Sequence, residues 1–462
     1  MEEDKIVIVG AGITGLTVAE RLSRSFGNRV IVIEKEKAVG GLAATLSNDG
    51  LSFDIGSHRL HPKSDPSAIH YLKQITQQPL LLRRRRGKLY LGGKFISYPP
   101  TISGLFKVYS TADIATSTVR YLKNLLFPAK LGPASFETAM IRTVGWDIYN
   151  KVYRDYARKL WGVDPARISV DAMHRRKTVV DFKSLGNAFK IRHYFLYPRK
   201  GIGELVSKLE ERVIANGACL MRETRLKEAC EDNGRIRLSL SGPQEKDRSI
   251  AASLVVSTIP IDELYGLFFS DERIARNDLR WRGIRILYLI VKERLNDSGE
   301  TFYFPSSEIL FGRVSEIKKY SPFINPSLKE TLLTIEVPVS PGEALWEMPE
   351  EELLKLCIAD LIKAKLLEKN PKVIKHFSLK LEKVYPVYMV GWRESFFAMY
   401  HRLAGIRNVF TIGRGGLFLH CNIDHCIIQG LAMADSILGN TYRDRSAWER
   451  ETARFFNFSA RD

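Results

Sequence analysis

Lys5-Ile6-Val7-Ile8-Val9 runs straight into Gly10-Ala11-Gly12-Ile13-Thr14-Gly15, and a helical pattern follows from Leu16. A second apolar strand, Arg29-Val30-Ile31-Val32-Ile33, ends on Glu34, 24 positions beyond Gly10. A glycine triplet alone is weak evidence. Placed between a strand and a helix, with an acid at the end of the next strand, it is a dinucleotide-binding fingerprint. Gly10 makes the tight turn, Gly12 lets the backbone approach a pyrophosphate, and Gly15 lets helix and strand pack closely. Glu34 accepts from a ribose, and the helix N-terminus faces the phosphates. An acid at position 34, not a base, argues against a 2′-phosphate.

Working outward, Lys35-Glu36-Lys37-Ala38-Val39-Gly40-Gly41-Leu42 forms a Gly-Gly loop placed to lie beside the pyrophosphate. Phe53-Asp54-Ile55-Gly56-Ser57-His58 reads as a strand leading into a turn. Far downstream, Asn408-Val409-Phe410-Thr411-Ile412 ends in Gly413-Arg414-Gly415-Gly416, and Asn422-Ile423-Asp424-His425 opens an apolar helix through Leu438. This order resembles the flavoproteins of the amine oxidase and UDP-galactopyranose mutase superfamily. The resemblance implies FAD as cofactor. It places Gly413 and Arg414 at the FAD phosphate or ribityl, and Ser57 and His58 close by. It sets the helix start at Asn422 and Asp424 against the flavin pyrimidine edge, where free N–H groups stabilise a reduced, anionic flavin.

With 462 residues, the chain is long enough for two or three domains. Its 45% hydrophobic and 26% charged residues are those of an ordinary globular protein. No apolar run approaches the ~20 residues of a membrane span. No signal peptide precedes the first strand, and five cysteines without a Cys-x-x-Cys suit reduced thiols, so a cytoplasmic location is expected. The net charge of +18 is densest at Arg83-Arg84-Arg85-Arg86. A solvated strand edge accounts for such a run, as does attraction of an anionic substrate or of an anionic membrane surface. Nucleic acid is not expected, because no binding module accompanies the charge.

The expected fold is α/β: a discontinuous Rossmann-type FAD domain from residues 1–95, 199–262 and 395–440, with two inserts forming the substrate side. Residues 96–198 carry mostly helical spacing, residues 280–390 hold β-rich runs, and residues 441–462 form a peripheral tail. No second strand–GxGxxG–helix unit exists for NAD(P)H, so a flavin here would meet its substrate, oxygen or an external reductant directly.

Four segments narrow the resemblance toward the mutases. Gly56-Ser57-His58-Arg59-Leu60-His61-Pro62 resembles a mutase element whose second histidine lies near the flavin; ordinary turn histidines fit as well, and a metal pair lacks further ligands. Tyr156-Ala157-Arg158-Lys159-Leu160-Trp161-Gly162 resembles the segment whose tyrosine and tryptophan line the uridine and sugar pocket, although Tyr156 and Trp161 could equally be core. Phe311-Gly312-Arg313-Val314-Ser315-Glu316-Ile317-Lys318 resembles the strand whose arginine grips the diphosphate, the alternative being an Arg313–Glu316 surface pair. Tyr385-Pro386 and Gly413-Arg414 match the last elements. There the chain departs: Phe418, Leu419, His420 and Cys421 replace a run of tyrosines, and only Arg175 and Arg176 stand near the place of a second diphosphate arginine.

The resemblance therefore implies a nucleotide-sugar mutase in which reduced flavin N5 attacks the anomeric carbon and a pyranose is exchanged for a furanose. The flavin carries the chemistry, with His61 and Arg313 the side chains nearest to a catalytic part. Substrate contacts are expected from His61, Tyr156, Trp161, Arg175, Arg176, Arg313, Tyr385, Phe418 and His420, and the partners are an anionic nucleotide diphosphate sugar and an external flavin reductant. The alternative is a FAD-dependent oxidase or desaturase of the amine oxidase or protoporphyrinogen oxidase type, which shares the Gly40-Gly41 loop and the Phe53–His58 turn.

Overall fold

The computed structural model describes residues 4–126, 135–175, 194–242, 247–269 and 279–460. Five parallel strands form the nucleotide-binding sheet, in the order Val409–Thr411, Leu254–Ser257, Ile6–Val9, Val30–Ile33, Cys219–Met221. The three longer-range members come from far along the chain, so the domain is discontinuous. Valine and isoleucine fill the first strands because helices cover both faces and no position is left to solvent. The helix Ile13–Phe26 lies between Gly203–Ala215 and Ile423–Leu438. Gly430 permits that last contact, since a Cβ there would stand 2.8 Å from the Thr17 Cβ.

A second, largely antiparallel sheet of seven strands forms the β-rich body. Its order is Val373–Val387, Arg280–Val291, Thr331–Pro338, Arg313–Ser315, Thr301–Tyr303, Lys88–Leu91, Lys94–Ser97. The hairpin Lys88–Leu91 with Lys94–Ser97, most of it inside the expected FAD segment 1–95, belongs instead to this sheet, through the pairs Phe302↔Lys88 and Tyr303↔Leu89. Its inward residues Leu89, Leu91 and Ile96 make a small core with Tyr98 and Tyr303, which explains the attachment. The basic run also finds a place: Leu81–Arg84 pairs antiparallel with Tyr194–Tyr197, bringing a strand into the segment expected to be helical. Among its other described residues that segment is mostly helical, as in Phe136–Val144 and Arg154–Trp161. The C-terminal helix Arg445–Phe455 docks through buried Trp448 and Phe455. Among the described residues, no helix is long and apolar enough to cross a membrane.

Two buried carboxylates stitch the layers together. Asp54 accepts from Thr45 Oγ1, Tyr197 OH and the Ile202 amide (3.2 Å), joining the turn after the Gly-Gly loop to the start of the Gly203–Ala215 helix. Glu20 accepts from Tyr71 OH at 3.0 Å and from the Arg24 guanidinium.

Candidate functional site

The fingerprint is built as its spacing requires. Gly10 has φ +98° and donates to the Ile33 carbonyl at 2.8 Å, so the chain turns sharply out of the first strand. A Cβ on Gly15 would lie 2.0 Å from the Gly10 carbonyl oxygen, so only glycine fits. A Cβ on Gly12 would meet no protein atom within 4 Å, which leaves the backbone open to a large group. The helix that begins there has no side-chain cap and no acid in its first turn, as suits an approaching anion. The Gly40 amide donates to the Ala11 carbonyl at 2.8 Å, and a Cβ on Gly41 would sit 3.6 Å from the Gly12 Cα. The Gly-Gly loop therefore lies against the fingerprint, with Leu42 half-buried beside it.

Glu34 is 8% exposed, and its two oxygens accept from the Ala11 amide (2.8 Å) and the Glu36 amide (3.0 Å). The carboxylate is fixed at the strand end with lone pairs left for a ribose, while Lys35 next to it is exposed. The distant glycine strand closes the cradle. Gly413 would place a Cβ 3.2 Å from Thr14 Oγ1, and its amide donates to Gln429 Oε1 at 2.8 Å. Ile13 and Thr14 are buried in the first turn of the fingerprint helix. Arg414 donates to the Val384 carbonyl at 3.0 Å through Nε and at 2.6 Å through Nη2, and to the Cys421 carbonyl at 2.9 Å, so it braces the loop leading to Asn422. Asn422 is the N-cap of Ile423–Leu438, its amide donating to His425 Nδ1 at 3.3 Å, and Asp424 is buried in the first turn. The open backbone at Gly12, the uncapped start of the Ile13–Phe26 helix and the ribose acceptor fit a dinucleotide.

A narrow cleft lies between the helical and β-rich parts, lined by Tyr156, Lys159, Tyr303, Arg313, Glu336 and Tyr385 among others. Three of these, Tyr156, Arg313 and Tyr385, are sequence-expected substrate residues. Arg313 forms a two-pronged pair with Glu336, Nε to Oε1 at 2.8 Å and Nη2 to Oε2 at 2.6 Å. Glu336 is cross-strand from Arg313 in the antiparallel register. The Arg313–Glu316 pair does not form, because residues three apart on a strand point to opposite faces; Glu316 is held by Lys319 at 2.8 Å. Burial alone would lower the Arg313 pKa, yet Glu336 outweighs it and holds the guanidinium well above its ordinary value. Arg313 Nη1 has no hydrogen bond among the described residues. Glu336 Oε1 also accepts from the Ser57 amide at 3.2 Å, and Ser57 Oγ meets Tyr320 OH at 2.5 Å, tying the Gly56 turn to the cleft.

Lys159 and Glu336 were missed as site residues. Lys159 lay inside the quoted Tyr156–Gly162 segment, but its partners, the carbonyls of Phe304 (2.9 Å), Ser306, Ile309 (2.6 Å) and Phe311 (3.2 Å), are far away in sequence. Burial pulls its pKa down to about 7, against the opposing pull of Asp360 and Asp155. His58 donates from Nε2 to the Ile55 carbonyl at 2.8 Å, and burial, aided by Arg313, lowers its pKa and keeps it neutral despite Asp54 and Glu336.

Other expected contacts have different places. His61 is a half-buried turn residue whose Nδ1 accepts from the Lys63 amide at 3.0 Å, and it does not line the cleft. Trp161 is core, edge-on to Phe136 at 4.9 Å. Phe418 is core as well, enclosed by Trp281, Tyr388 and Trp392, because the chain turns inward there with φ +49°. His420 stacks on Tyr385 at 5.5 Å and so backs the cleft wall. Arg175 ends the short helix Asp171–Arg175, and Arg176 lies outside the described residues.

A parallel nucleotide-binding sheet beside a large, mostly antiparallel sheet matches the fold of FAD-binding mutases and amine oxidases, and the family comparison agrees. The model for flavin containing amine oxidoreductases matches residues 13–438, and the chain belongs to that family, with FAD as its cofactor. The dTDP-fucopyranose mutase of Escherichia coli is 25% identical over 175 residues, 37% of this chain and 45% of that protein. The chloroplastic prolycopene isomerase of Daucus carota is 22% identical over 316 residues, 61% of this chain and 50% of that protein. The chain thus spans about half the length of the curated relatives it matches. Reduced UDP-galactopyranose mutase shares the fold across 99% of both chains, with a TM-score of 0.80 at 19% identity.

Proposed function

We propose that the protein is a mutase-like enzyme that interconverts ring forms of a nucleotide diphosphate sugar. One observation carries this: a half-buried arginine, fixed by Glu336 with Nη1 left over, stands in a cleft walled by Tyr156, Tyr303 and Tyr385. A guanidinium held in that way receives a diphosphate without reorganising, and tyrosine faces suit a base or sugar ring. Bound FAD in its reduced form supplies the nucleophile. The chain's residues hold the leaving diphosphate at Arg313 and keep His58 neutral. They also set the Asn422–Asp424 helix start where it favours negative charge. A reductant from outside the chain keeps the flavin reduced.

The test is stoichiometric. Reduced holoenzyme, without oxygen, should exchange pyranose and furanose forms of a UDP- or dTDP-sugar while consuming no reductant per turnover. A second reading rests on a different feature of the same cleft: Glu336 neutralises Arg313, and Leu160, Ile284 and Pro338 add apolar wall, which suits an uncharged substrate losing hydride to FAD. In that case oxidised enzyme is active, substrate bleaches the flavin without oxygen, and nucleotide sugars are not exchanged.

A further inference from the structure

The Ile423–Leu438 helix begins between two cysteines. Asn422 is its N-cap, so Cys421 is the residue before the cap and Cys426 the fourth helical residue. Those two positions meet across the first turn of a helix, where apolar side chains ordinarily pair. Here the pair is two thiols, hydrogen-bonded to each other. Cys421 is 4% exposed and Cys426 half-buried. The other cysteines stand elsewhere: Cys219 and Cys230 exposed on strands, Cys357 in the apolar core of the β-rich body.

We propose that Cys421 and Cys426 are a redox-active dithiol that peroxide closes to a disulfide at the edge of the FAD cradle. The roles follow from the surroundings. Cys426 accepts hydrogen bonds from the Cys421 thiol and from the Thr14 side chain, and these lower its pKa against the cost of burial. Cys421, as the donor, is pushed well above its ordinary value. Cys426, the less buried of the two sulfurs, is the one peroxide reaches first, and Cys421, 4% exposed behind it, is the thiol that resolves. The Cys426 thiolate attacks one peroxide oxygen, the O–O bond breaks, and the departing hydroxide takes a proton to become water. The Cys421 sulfur, losing its proton, then attacks the sulfenic sulfur and expels the second oxygen as water. Two thiols give up two electrons, and one hydrogen peroxide becomes two waters.

The cradle would register the closure. Gln429 donates from Nε2 to Cys421 Sγ at 3.4 Å while its Oε1 accepts from the Gly413 amide at 2.8 Å, and Thr14 bonds to Cys426. Drawing the sulfurs from hydrogen-bond contact to about 2 Å takes both sulfurs away from these partners. Thr14 loses its bond to Cys426, and Gln429, which holds Gly413 opposite Thr14 across the cradle, loses its second anchor. FAD retention is expected to weaken several-fold in the disulfide form.

Holoenzyme treated with hydrogen peroxide, alkylated and digested with trypsin tests this directly. The peptide from Gly415 to Arg443 holds both cysteines and no others. It should appear two hydrogens lighter and unalkylated, and should take up two alkyl groups only after a thiol reductant. Cys421→Ser should instead leave a sulfenic acid on Cys426 that dimedone traps, and Cys426→Ser should leave Cys421 a free thiol. If the wild-type peptide is alkylated twice after peroxide, or Cys426 advances to sulfinic acid beside a free Cys421, the dithiol assignment is wrong. FAD release, followed by flavin fluorescence on the same samples, should rise with the disulfide fraction; release independent of that fraction overturns the coupling. Neither measurement requires knowledge of the substrate.

Discussion

Removing Arg313 should cost far more stability than a surface arginine would. Its guanidinium makes two hydrogen bonds to Glu336, whose side chain is 4% exposed. Arg313→Ala leaves that carboxylate buried and uncompensated, which costs about 3–5 kcal/mol. Glu336→Gln is milder, because the amide still accepts from the guanidinium and the residual cation lies at the cleft. Replacing both partners, Arg313→Met with Glu336→Leu, should recover most of the loss, since two apolar groups need no compensation. Denaturant unfolding of the FAD-saturated variants beside the wild type gives all three values. The same set separates the two functional readings. Glu336→Gln removes a negative charge beside the position of a bound diphosphate; at an effective dielectric of 20 a unit charge about 4 Å away contributes about 4 kcal/mol, so UDP should bind at least ten-fold more tightly. UDP affinity unchanged by Glu336→Gln and by Arg313→Lys would refute a diphosphate at Arg313. A loss under about 1 kcal/mol for Arg313→Ala would refute the buried pair itself.

Gly12→Val should fold normally and purify colourless, because the added atoms meet nothing in the protein and occupy the pyrophosphate approach; Gly15→Ala, whose Cβ would collide with the Gly10 carbonyl at 2.0 Å, should lose stability as well as flavin. Absorbance at the flavin band and unfolding midpoints check both. Lys159→Met should free the Phe304–Phe311 loop by removing the donor to its buried carbonyls, at about 1–3 kcal/mol per orphaned acceptor before relaxation, and limited proteolysis should then cut within that loop. His58 gives a pH signature. Its folded pKa is lowered by burial, so below about pH 6.5 the unfolded chain binds a proton that the folded chain refuses, and stability falls as pH drops. His58→Gln should flatten the decline of the denaturation midpoint between about pH 6.5 and 5; parallel declines would show that His58 carries none of it.

The nucleotide domain was legible because its signals are local. A strand, a glycine turn, a helix and an acid within the first 34 residues each have a steric or hydrogen-bonding reason, and the distant Gly413 strand repeats the pattern. The cleft was less legible because its determinants are pairings. Arg313 could be singled out from its own strand, but the partner that fixes it is chosen by register with a strand 23 residues on. Lys159 stood inside a quoted segment without a role, because the four carbonyls that close around it come from another part of the chain. Trp161 and Phe418 show the opposite failure. An aromatic residue carries the same sequence signal whether it lines a pocket or fills a core, and both proved to be core. The hairpin at residues 88–97 misled for a third reason: it follows the FAD segment in sequence, yet its inward leucines complete another sheet's core.

The charge needs the same caution. A balance of +18 invites an anionic substrate, yet many arginines inside the fold serve backbone carbonyls and not a ligand. Arg282 donates to the Pro338 carbonyl, Arg285 to Leu345 and Met348, Arg414 to Val384 and Cys421. Arg59 is buried against Glu300 and the Tyr303 hydroxyl, with its face over the Phe195 and Tyr320 rings. Such a cation holds a loop in place and adds little to the field a substrate meets, because the carbonyl dipoles and carboxylates around it face it. At the cleft, Arg313 is itself half of a neutral pair. Anion affinity therefore rests on the geometry of one remaining guanidinium nitrogen, Nη1, and not on the protein's total charge. Binding of UDP to the wild-type protein should accordingly depend weakly on salt, with a buried, oriented contact dominating. A steep fall in affinity between low and physiological ionic strength would locate UDP on the basic surface around Arg83–Arg86 instead, and would remove the ground for a nucleotide sugar in the cleft.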